Sequence, residues 1–467
     1  MSDLWFKPAH ELAALIRSRQ LSPVELLEAS LQRIEETEPT LNAWTGMRRE
    51  EAMQEARDIG ERIARGEEVG PLAGLPFGVK ELDDLAGFPS THASLPYKDD
   101  YPERDSIEVE RLRKAGAIAL GKTNAPEFGY TASTKNLIFG VTRNPWNPER
   151  TPGGSSGGSS AAVAAGQVPF CTASDGGGSI RIPASCCGVF GLKPSRGRVS
   201  SAPFAALEGL STAGPLSRTV EDAAHLLDAL AGYEPGDPWW APPPEHPFAS
   251  TVAEPPGTLR VAVTSTPPIE TPVAPECVAA LASAAGLLTE LGHEVVEATP
   301  PWTDPDLFHT FIEVWQAGPA LHPIDDLSLM TALNRGLVES ARASCTIDYA
   351  RAVARLQAIA RRTVAFWQEV DVVFTPTLAM PPVPIGWQES VEGAIEQLLR
   401  NTEFTPFTAI ANLTGLPAMS LPLHWSEDGL PIGVHAIGPP AGDAVLLSLA
   451  AQLEAARPWA DRRPPIG

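Results

Sequence analysis

The chain has 467 residues, 43% of them hydrophobic and 20% charged, a composition typical of a globular protein with a large core. Its formal net charge of −22 disfavours nucleic acid and anionic membranes as partners. The five cysteines are an odd number without metal-ligand spacing, so we expect no metal site and a reducing, cytoplasmic compartment.

No targeting or membrane segment is evident in the sequence. Residues 1–5 contain no basic region followed by an apolar core, which argues against a signal peptide. No apolar run approaches the roughly 20 residues that a membrane helix needs, so we expect no membrane partner.

The first part of the chain is predicted to be helical over residues 8–66. Ser22 and Glu25 form a capping box, with Pro23 at the first helical position. Apolar periodicity then predicts strands at 75–79, 117–120 and 168–171, and helices at 108–115 and from residue 161. The first of these strands leads directly to Lys80.

The second half begins with a proline-dense stretch, residues 233–256, which we interpret as an ordered surface excursion or linker. After it we predict strands at 259–263, 293–298 and 370–376, a helix at 275–291, and a helical section at 304–369. The tail has apolar runs at 410–416, 419–423 and 432–437, then a helix at 444–455. Alternating strands and helices favour an α/β fold, and we expect one catalytic core with peripheral helical insertions.

Residues 116–123 match the phosphate-loop pattern G-x-x-x-x-G-K-[ST]. That pattern requires a flexible loop whose N–H groups face phosphate. Here the four variable residues, Ala117, Ile118, Ala119 and Leu120, have the character of a buried strand. We therefore expect no nucleotide site at Lys122.

Residues 153–157 match the G-x-S-x-G pattern of a nucleophile elbow. An elbow needs a strand immediately before it and a partner histidine later in the chain. Residues 144–152 are instead rich in proline and asparagine, which predicts a loop, and no later histidine lies in a recognisable context. A Ser-His-Asp hydrolase is therefore disfavoured.

Two glycine- and serine-rich stretches, residues 153–160 and 175–179, place Ser155 and Ser179 24 positions apart. Composition alone would suggest flexible linkers. A helix-forming alanine run follows the first stretch directly, and the second mixes charged and apolar residues in a way that linkers do not. Consecutive glycine N–H groups before a serine suit an oxyanion hole.

The chain resembles the amidase signature family. The resemblance rests on residues 152–160, 175–183 and 188–194, with shorter matches at 78–80, 121–124, 144–148 and 413–418. It covers nearly the whole chain and is weakest between about residues 233 and 370. It implies a large, mixed, twisted central sheet covered by helices on both faces, within a single domain over residues 1–467. That domain would comprise N-terminal helices (1–66), a catalytic core (67–232), a variable region shaping the substrate pocket (233–400) and a C-terminal part of the core (401–467).

The resemblance also implies a Ser–Ser–Lys triad that needs no metal or cofactor. Ser179 would be the nucleophile, Ser155, preceded by a cis peptide, the relay, and Lys80 the general base. The other implied site residues are the oxyanion donors Gly176, Gly177, Gly178 and Ser179 and the supporting residues Ser156, Asp175 and Arg181. Glu81 and Gly176 depart from the commoner family residues, and we expect Gly176 to leave its loop more flexible and the site wider.

Lys80 can act as a base only when neutral, and burial next to the apolar strand would lower its pKa from about 10.4. The resemblance implies hydrolysis of small-molecule amides, and also of esters or carbamates, and we expect a monomer or homodimer. Two alternatives stay open, a glutamine-hydrolysing amidotransferase subunit and a non-catalytic binding protein of the same fold. The aromatic candidates for an apolar pocket are Trp146, Trp315, Phe366, Trp367, Trp387 and Phe407.

Overall fold

The computed structural model describes residues 4–203 and 209–466. The expectation that the chain has no signal peptide depends in part on residues 1–3, which lie outside the described residues. Within the described ranges, no helix is both long enough and apolar enough to cross a bilayer.

Thirteen strands occur in the described residues. In chain order they are β1 (Trp44–Met47), β2 (Pro76–Lys80), β3 (Ile118–Thr123), β4 (Lys135–Asn136), β5 (Gly140–Val141), β6 (Phe170–Asp175), β7 (Phe190–Lys193), β8 (Thr212–Ser217), β9 (Arg260–Val263), β10 (Glu294–Glu297), β11 (Val372–Pro376), β12 (Ala418–Trp425) and β13 (Pro431–Ile437).

Eleven of these strands form one sheet, in the order β1-β3-β2-β6-β8-β7-β12-β13-β11-β9-β10. The pairs β2–β3, β2–β6, β9–β10 and β9–β11 are parallel, and the remaining pairs are antiparallel. The predicted α/β class with a large mixed sheet is confirmed.

Sixteen α-helices occur in the same residues. They are α1 (Ala9–Arg17), α2 (Pro23–Leu41), α3 (Arg49–Ala64), α4 (Ile107–Lys114), α5 (Gly157–Ala164), α6 (Arg181–Cys187), α7 (Val220–Leu230), α8 (Phe248–Thr251), α9 (Pro275–Glu290), α10 (Leu307–Trp315), α11 (Ala317–Ala320), α12 (Ala332–Ala343), α13 (Thr346–Val364), α14 (Ala394–Phe404), α15 (Ala409–Thr414) and α16 (Asp443–Ala456).

Helices cover both faces of the sheet. Phe170 belongs to a buried cluster with residues of α1, α4, α7, α9 and α16, whereas its neighbour Cys171 belongs to a cluster with α2, α3, α5 and α6. On β11, Phe374 belongs to the same cluster as Phe170, whereas its neighbour Val373 packs among residues of α10, α13 and α15. Successive residues of a strand point to opposite faces, so this division shows that both faces are buried.

The local structure corrects two expectations and confirms three others. Residues 44–47, inside the region predicted to be helical, form the edge strand β1. The helix predicted from residue 161 begins earlier, at Gly157, as the fully buried helix α5, so the glycine-serine stretch is not a flexible linker, as expected. The phosphate-loop match is the buried strand β3, as expected, and the capping box at Ser22 is present with both of its hydrogen bonds.

Candidate active site

Lys80 is the last residue of β2, which lies between β3 and β6 in the sheet, and its side chain is completely buried. Its Nζ donates to Ser155 Oγ at 2.9 Å, to Ser174 Oγ at 2.9 Å and to the Ser174 carbonyl at 3.2 Å. The sequence did not identify Ser174 as a site residue. All three acceptors are uncharged, so the lysine is held by hydrogen bonds without a direct ion pair.

Ser155 and Ser179 come from different loops that meet at this point. The Gly154–Ser155 peptide is cis, and Ser155 lies just before α5. The N–H of the next residue, Ser156, donates to the Ser179 carbonyl at 3.2 Å, and Ser156 Oγ lies 3.4 Å from the Ser174 carbonyl. These contacts bring the two serine loops together beside Lys80.

Buried charge fixes the loop that carries Ser179. Both Asp175 and Arg181 are completely buried, and the guanidinium donates to both carboxylate oxygens, at 2.9 and 3.0 Å. Asn412, which was not singled out in the sequence, accepts from Arg181 Nη2 at 2.7 Å and donates to Asp175 Oδ1 at 2.8 Å. Burial raises the pKa of Asp175, but the Arg181 charge and hydrogen bonds outweigh it and hold that pKa below its usual value.

The glycine N–H groups of this loop have different roles. The N–H of Gly178, expected to be an oxyanion donor, donates to Asp175 Oδ1 at 2.7 Å within the loop. Among the described residues, no hydrogen bond uses the N–H of Gly176, Gly177 or Ser179. Three of the four expected donors therefore remain free for a ligand oxygen.

The electrostatic surroundings of Lys80 lower its basicity. Burial lowers the pKa of Lys80 to about 8, although the carboxylates of Asp83, Asp175 and Glu108 act in the opposite direction. Asp83 is the nearest in sequence and accepts from Thr172 Oγ1 at 2.7 Å, while Thr172 Oγ1 accepts from the Lys80 backbone N–H. Burial also raises the pKa of Glu108, to about 8. Neither Asp83 nor Glu108 belongs to a motif, and Glu108 comes near Lys80 only in the folded chain.

A cavity of about 110 Å³ opens in front of Ser179. Its apolar wall includes Ile269, Phe308, Phe311, Ile312, Trp315 and Leu398, and its polar residues include Asn401 and Thr405. No Asp, Glu, Lys, Arg or His is among the described residues that line it. Of the six aromatic candidates, only Trp315 lines this cavity.

Two residues that could have served the disfavoured motifs, Lys122 and His435, have structural roles. Lys122 Nζ is buried and donates to Ser90 Oγ and to the Pro89 carbonyl, so it is engaged within the core. His435 Nε2 lies 2.9 Å from Arg181 Nη1, and burial together with that cation holds the pKa of His435 well below its usual value. Across the described ranges, no histidine is hydrogen-bonded to Ser155 or Ser179, so nothing completes a Ser-His-Asp triad.

Comparison with known proteins gives consistent similarities over the whole chain. The amidase family model matches residues 25–447. An acylamidase of Rhodococcus erythropolis is 36% identical and the match covers 99% of this chain and 98% of that protein. The 6-aminohexanoate-cyclic-dimer hydrolase of Paenarthrobacter ureafaciens is 34% identical, covering 99% and 97% of the two chains.

The similarity extends to three-dimensional structure. A structure of 6-aminohexanoate cyclic dimer hydrolase complexed with substrate superposes with a TM-score of 0.91 at 34% identity, covering 99% of each chain. A bacterial aryl acylamidase described as belonging to the amidase signature enzymes gives 0.88 at 28% identity, covering 97% of each chain.

Proposed function

The chain belongs to the amidase signature family and is an amide-hydrolysing enzyme, and from that premise we propose that it works through Ser179, Ser155 and Lys80 with an acyl-enzyme intermediate. The observation that carries the proposal is the 2.9 Å hydrogen bond between Lys80 Nζ and Ser155 Oγ in a site closed to solvent. A buried amine next to a hydroxyl is the arrangement that a lysine-based proton relay requires.

Lys80 is proposed to be the general base. With a pKa of about 8, an appreciable fraction of its side chain is the neutral amine near pH 8. The neutral amine accepts the Ser155 hydroxyl proton, and Ser155 in turn accepts the proton of Ser179. The contact between Ser156 N–H and the Ser179 carbonyl supports this order, because it holds the relay loop against the nucleophile loop.

The nucleophilic step forms a bond between Ser179 Oγ and the carbonyl carbon of the substrate. The N–H groups of Gly176, Gly177 and Ser179 stabilise the negative charge on the carbonyl oxygen. The carbon–nitrogen bond then breaks, and the amine leaves with the proton that the relay returns. Water, deprotonated by the same relay, cleaves the resulting ester and releases the carboxylic acid.

The substrate is proposed to be a neutral amide with an apolar or aryl group, in accord with the names of its acylamidase and aryl acylamidase relatives. The cavity in front of Ser179 has an apolar wall and no charged side chain among its described lining residues. Esters and carbamates of similar size present the same carbonyl to Ser179, so we expect some turnover of both.

Glutamine is the alternative substrate, for an amidotransferase subunit. Its ammonium and α-carboxylate groups would enter a cavity whose described lining residues include no ionised side chain to pair with them, and leaving charges unpaired away from water is costly. The cavity therefore favours neutral amides. Ammonia release from glutamine at a rate comparable to anilide hydrolysis would reverse this choice.

A hydrolysis panel of anilides, esters, carbamates and glutamine tests the proposal. We expect Ser179→Ala and Lys80→Ala each to reduce kcat/KM for an anilide by at least about 10³-fold, as removal of a nucleophile or its base does in other hydrolases. The exposed residues Ser390 and Lys114 provide the matched controls Ser390→Ala and Lys114→Ala, which should retain activity. Full activity of either site variant would refute the triad.

A covalent probe separates an enzyme from a binding protein. A fluorophosphonate should label the wild type at one serine, and peptide mapping should identify it as Ser179. Ser179→Ala should not be labelled, whereas Ser390→Ala should be. Labelling at Ser155 in place of Ser179 would exchange the roles of nucleophile and relay.

A further inference from the structure

The backbone conformation at Gly176 does not require glycine, but the space beside it leaves little room for a side chain. Its φ lies outside the left-handed region, so an L-residue can adopt the same backbone. A Cβ added there would lie 3.1 Å from Trp315 Cη2 and 3.3 Å from Cζ3. The indole of Trp315 therefore occupies the volume into which a side chain at position 176 would project.

Gly178, two residues later, differs because its backbone conformation also requires glycine. Its φ of 134° is one that residues with a side chain rarely adopt, and an added Cβ would lie 2.6 Å from Thr408 Cβ. Its backbone and its neighbours both require glycine. Gly176 is thus the position in the loop where a larger residue would be accepted if the indole were absent.

The indole is held in place from both sides. Trp315 is the last residue of α10, and its ring lies 5.4 Å from Phe311 on the same helix and 4.7 Å from Tyr130, which comes from a loop of the catalytic core. Trp315 also lines the cavity in front of Ser179. One side chain therefore contacts the glycine loop and the substrate cavity at once.

We propose that Gly176 and Trp315 form a complementary pair in which the indole replaces the missing side chain, fixes the Gly176–Gly177 peptide and limits the size of the group that binds next to Ser179. The proposal rests on the proposed function, since it assigns this peptide to the oxyanion site. The expectation that Gly176 leaves the site wider is thereby corrected, because the space is already filled.

If the two residues form such a pair, substitutions at Trp315 and at Gly176 should have opposite effects on the substrates that are accepted. Trp315→Ala empties part of the cavity wall, so longer or branched acyl groups should be accepted, and the ratio of kcat/KM for decanoyl to acetyl anilide should rise about tenfold. Gly176→Ile overfills the same volume, so kcat/KM for the acetyl anilide should fall by at least about tenfold.

A double-mutant cycle tests the pairing. Gly176→Ile in the Trp315→Ala background should recover kcat/KM for the acetyl anilide to within about threefold of Trp315→Ala alone. The Tm should follow the same pattern without any substrate, falling in Gly176→Ile and recovering in the double variant. Should Gly176→Ile fail to fold, Gly176→Ala applies the same test with a smaller clash.

Two controls isolate the contact. Leu398→Ala shortens an apolar side chain of the same wall but leaves Trp315 and the two rings that hold it, Phe311 and Tyr130, in place, so it should not rescue Gly176→Ile. Gly178→Ala is strained by its own backbone, so Trp315→Ala should not rescue it.

Equal damage by Gly176→Ile in both backgrounds, in rate and in Tm, would overturn the pairing even if the wild type hydrolyses anilides through Ser179. If no Ser179-dependent hydrolysis is found, the proposed function and the assignment of this peptide to the oxyanion site both fail. The Tm cycle then reports on the contact alone.

Discussion

The loop that carries Ser179 and the wall of the cavity in front of it are built in contrasting ways. In the loop, charged and amide groups of Asp175, Arg181 and Asn412 are fully buried and joined by several hydrogen bonds. In the wall, Phe308, Ile312 and Leu398 form a small apolar cluster on α10 and α14, and no charged side chain is among the described residues that line the cavity.

The contrast indicates which parts of the enzyme can change. A buried network of charges loses several hydrogen bonds when one member is altered, and the partner left behind is then unpaired. An apolar cluster tolerates substitutions that conserve volume. We infer that the network fixes the geometry of the reaction, whereas the wall selects the substrate.

Breaking the buried network should have the largest effect. Arg181→Met removes the partner of Asp175, and we expect a loss of about 3–5 kcal/mol in the free energy of unfolding, measured with urea, because a buried carboxylate is left unpaired. We also expect kcat to fall by at least about 100-fold, because the Ser179 loop loses its fixed position.

The matched control is Arg355→Met. Arg355 is exposed and pairs with Asp304 at 2.7 Å at the surface, where water screens the interaction, so its loss should cost little stability. A similar, small cost for both arginine variants would contradict the view that burial of the ion pair matters.

The pH dependence of activity tests the base. Since neutral Lys80 is the active form and its pKa is about 8, kcat/KM for an anilide should rise as the pH increases through about 8 and then level off. Asp83 acts to raise the pKa of Lys80, so Asp83→Asn should move the rise in activity to lower pH.

Glu110→Gln is the control for this shift. Glu110 is on the surface of α4, two residues from the buried Glu108, and should leave the pH profile unchanged. The remaining charged groups that act on Lys80, Asp175 and Glu108, are intact in both variants. A profile that does not move in Asp83→Asn would show that its charge has no influence on the base.

The sequence was sufficient for those features that depend on neighbouring residues. The apolar run before Lys80 predicted a buried strand, and β2 ends at that lysine. The alanine run at 161–165 predicted a helix, which the structure shows as α5 with an earlier start at Gly157, and the strand character of residues 117–120 correctly excluded a phosphate loop. Each of these depends on a short segment whose pattern specifies its own structure.

Contacts between distant segments could not be predicted in this way. Asn412 reaches the Asp175 carboxylate from α15, and Glu108 becomes a neighbour of Lys80 only through folding. The commitment of the Gly178 N–H to Asp175 depends on loop geometry, and the edge strand β1 depends on pairing with β3 inside a region of helical pattern. Long-range pairing overrides local propensity in these cases.

Changes in the apolar wall should give the smallest effect and sharpen the contrast with the loop. Leu398 is buried in the wall, and Leu398→Ala removes apolar surface that lines the proposed substrate cavity while leaving Asp175, Arg181 and Lys80 unchanged. We expect KM for a long-chain anilide to rise by up to about tenfold while kcat changes little, because contact with a few methylene groups is lost equally in the ground and transition states. Leu399→Ala, at the next and exposed position, should leave both constants unchanged. A fall in kcat as large as that of Arg181→Met would mean that the wall also positions the reacting groups, and the division between chemistry and selection would not hold.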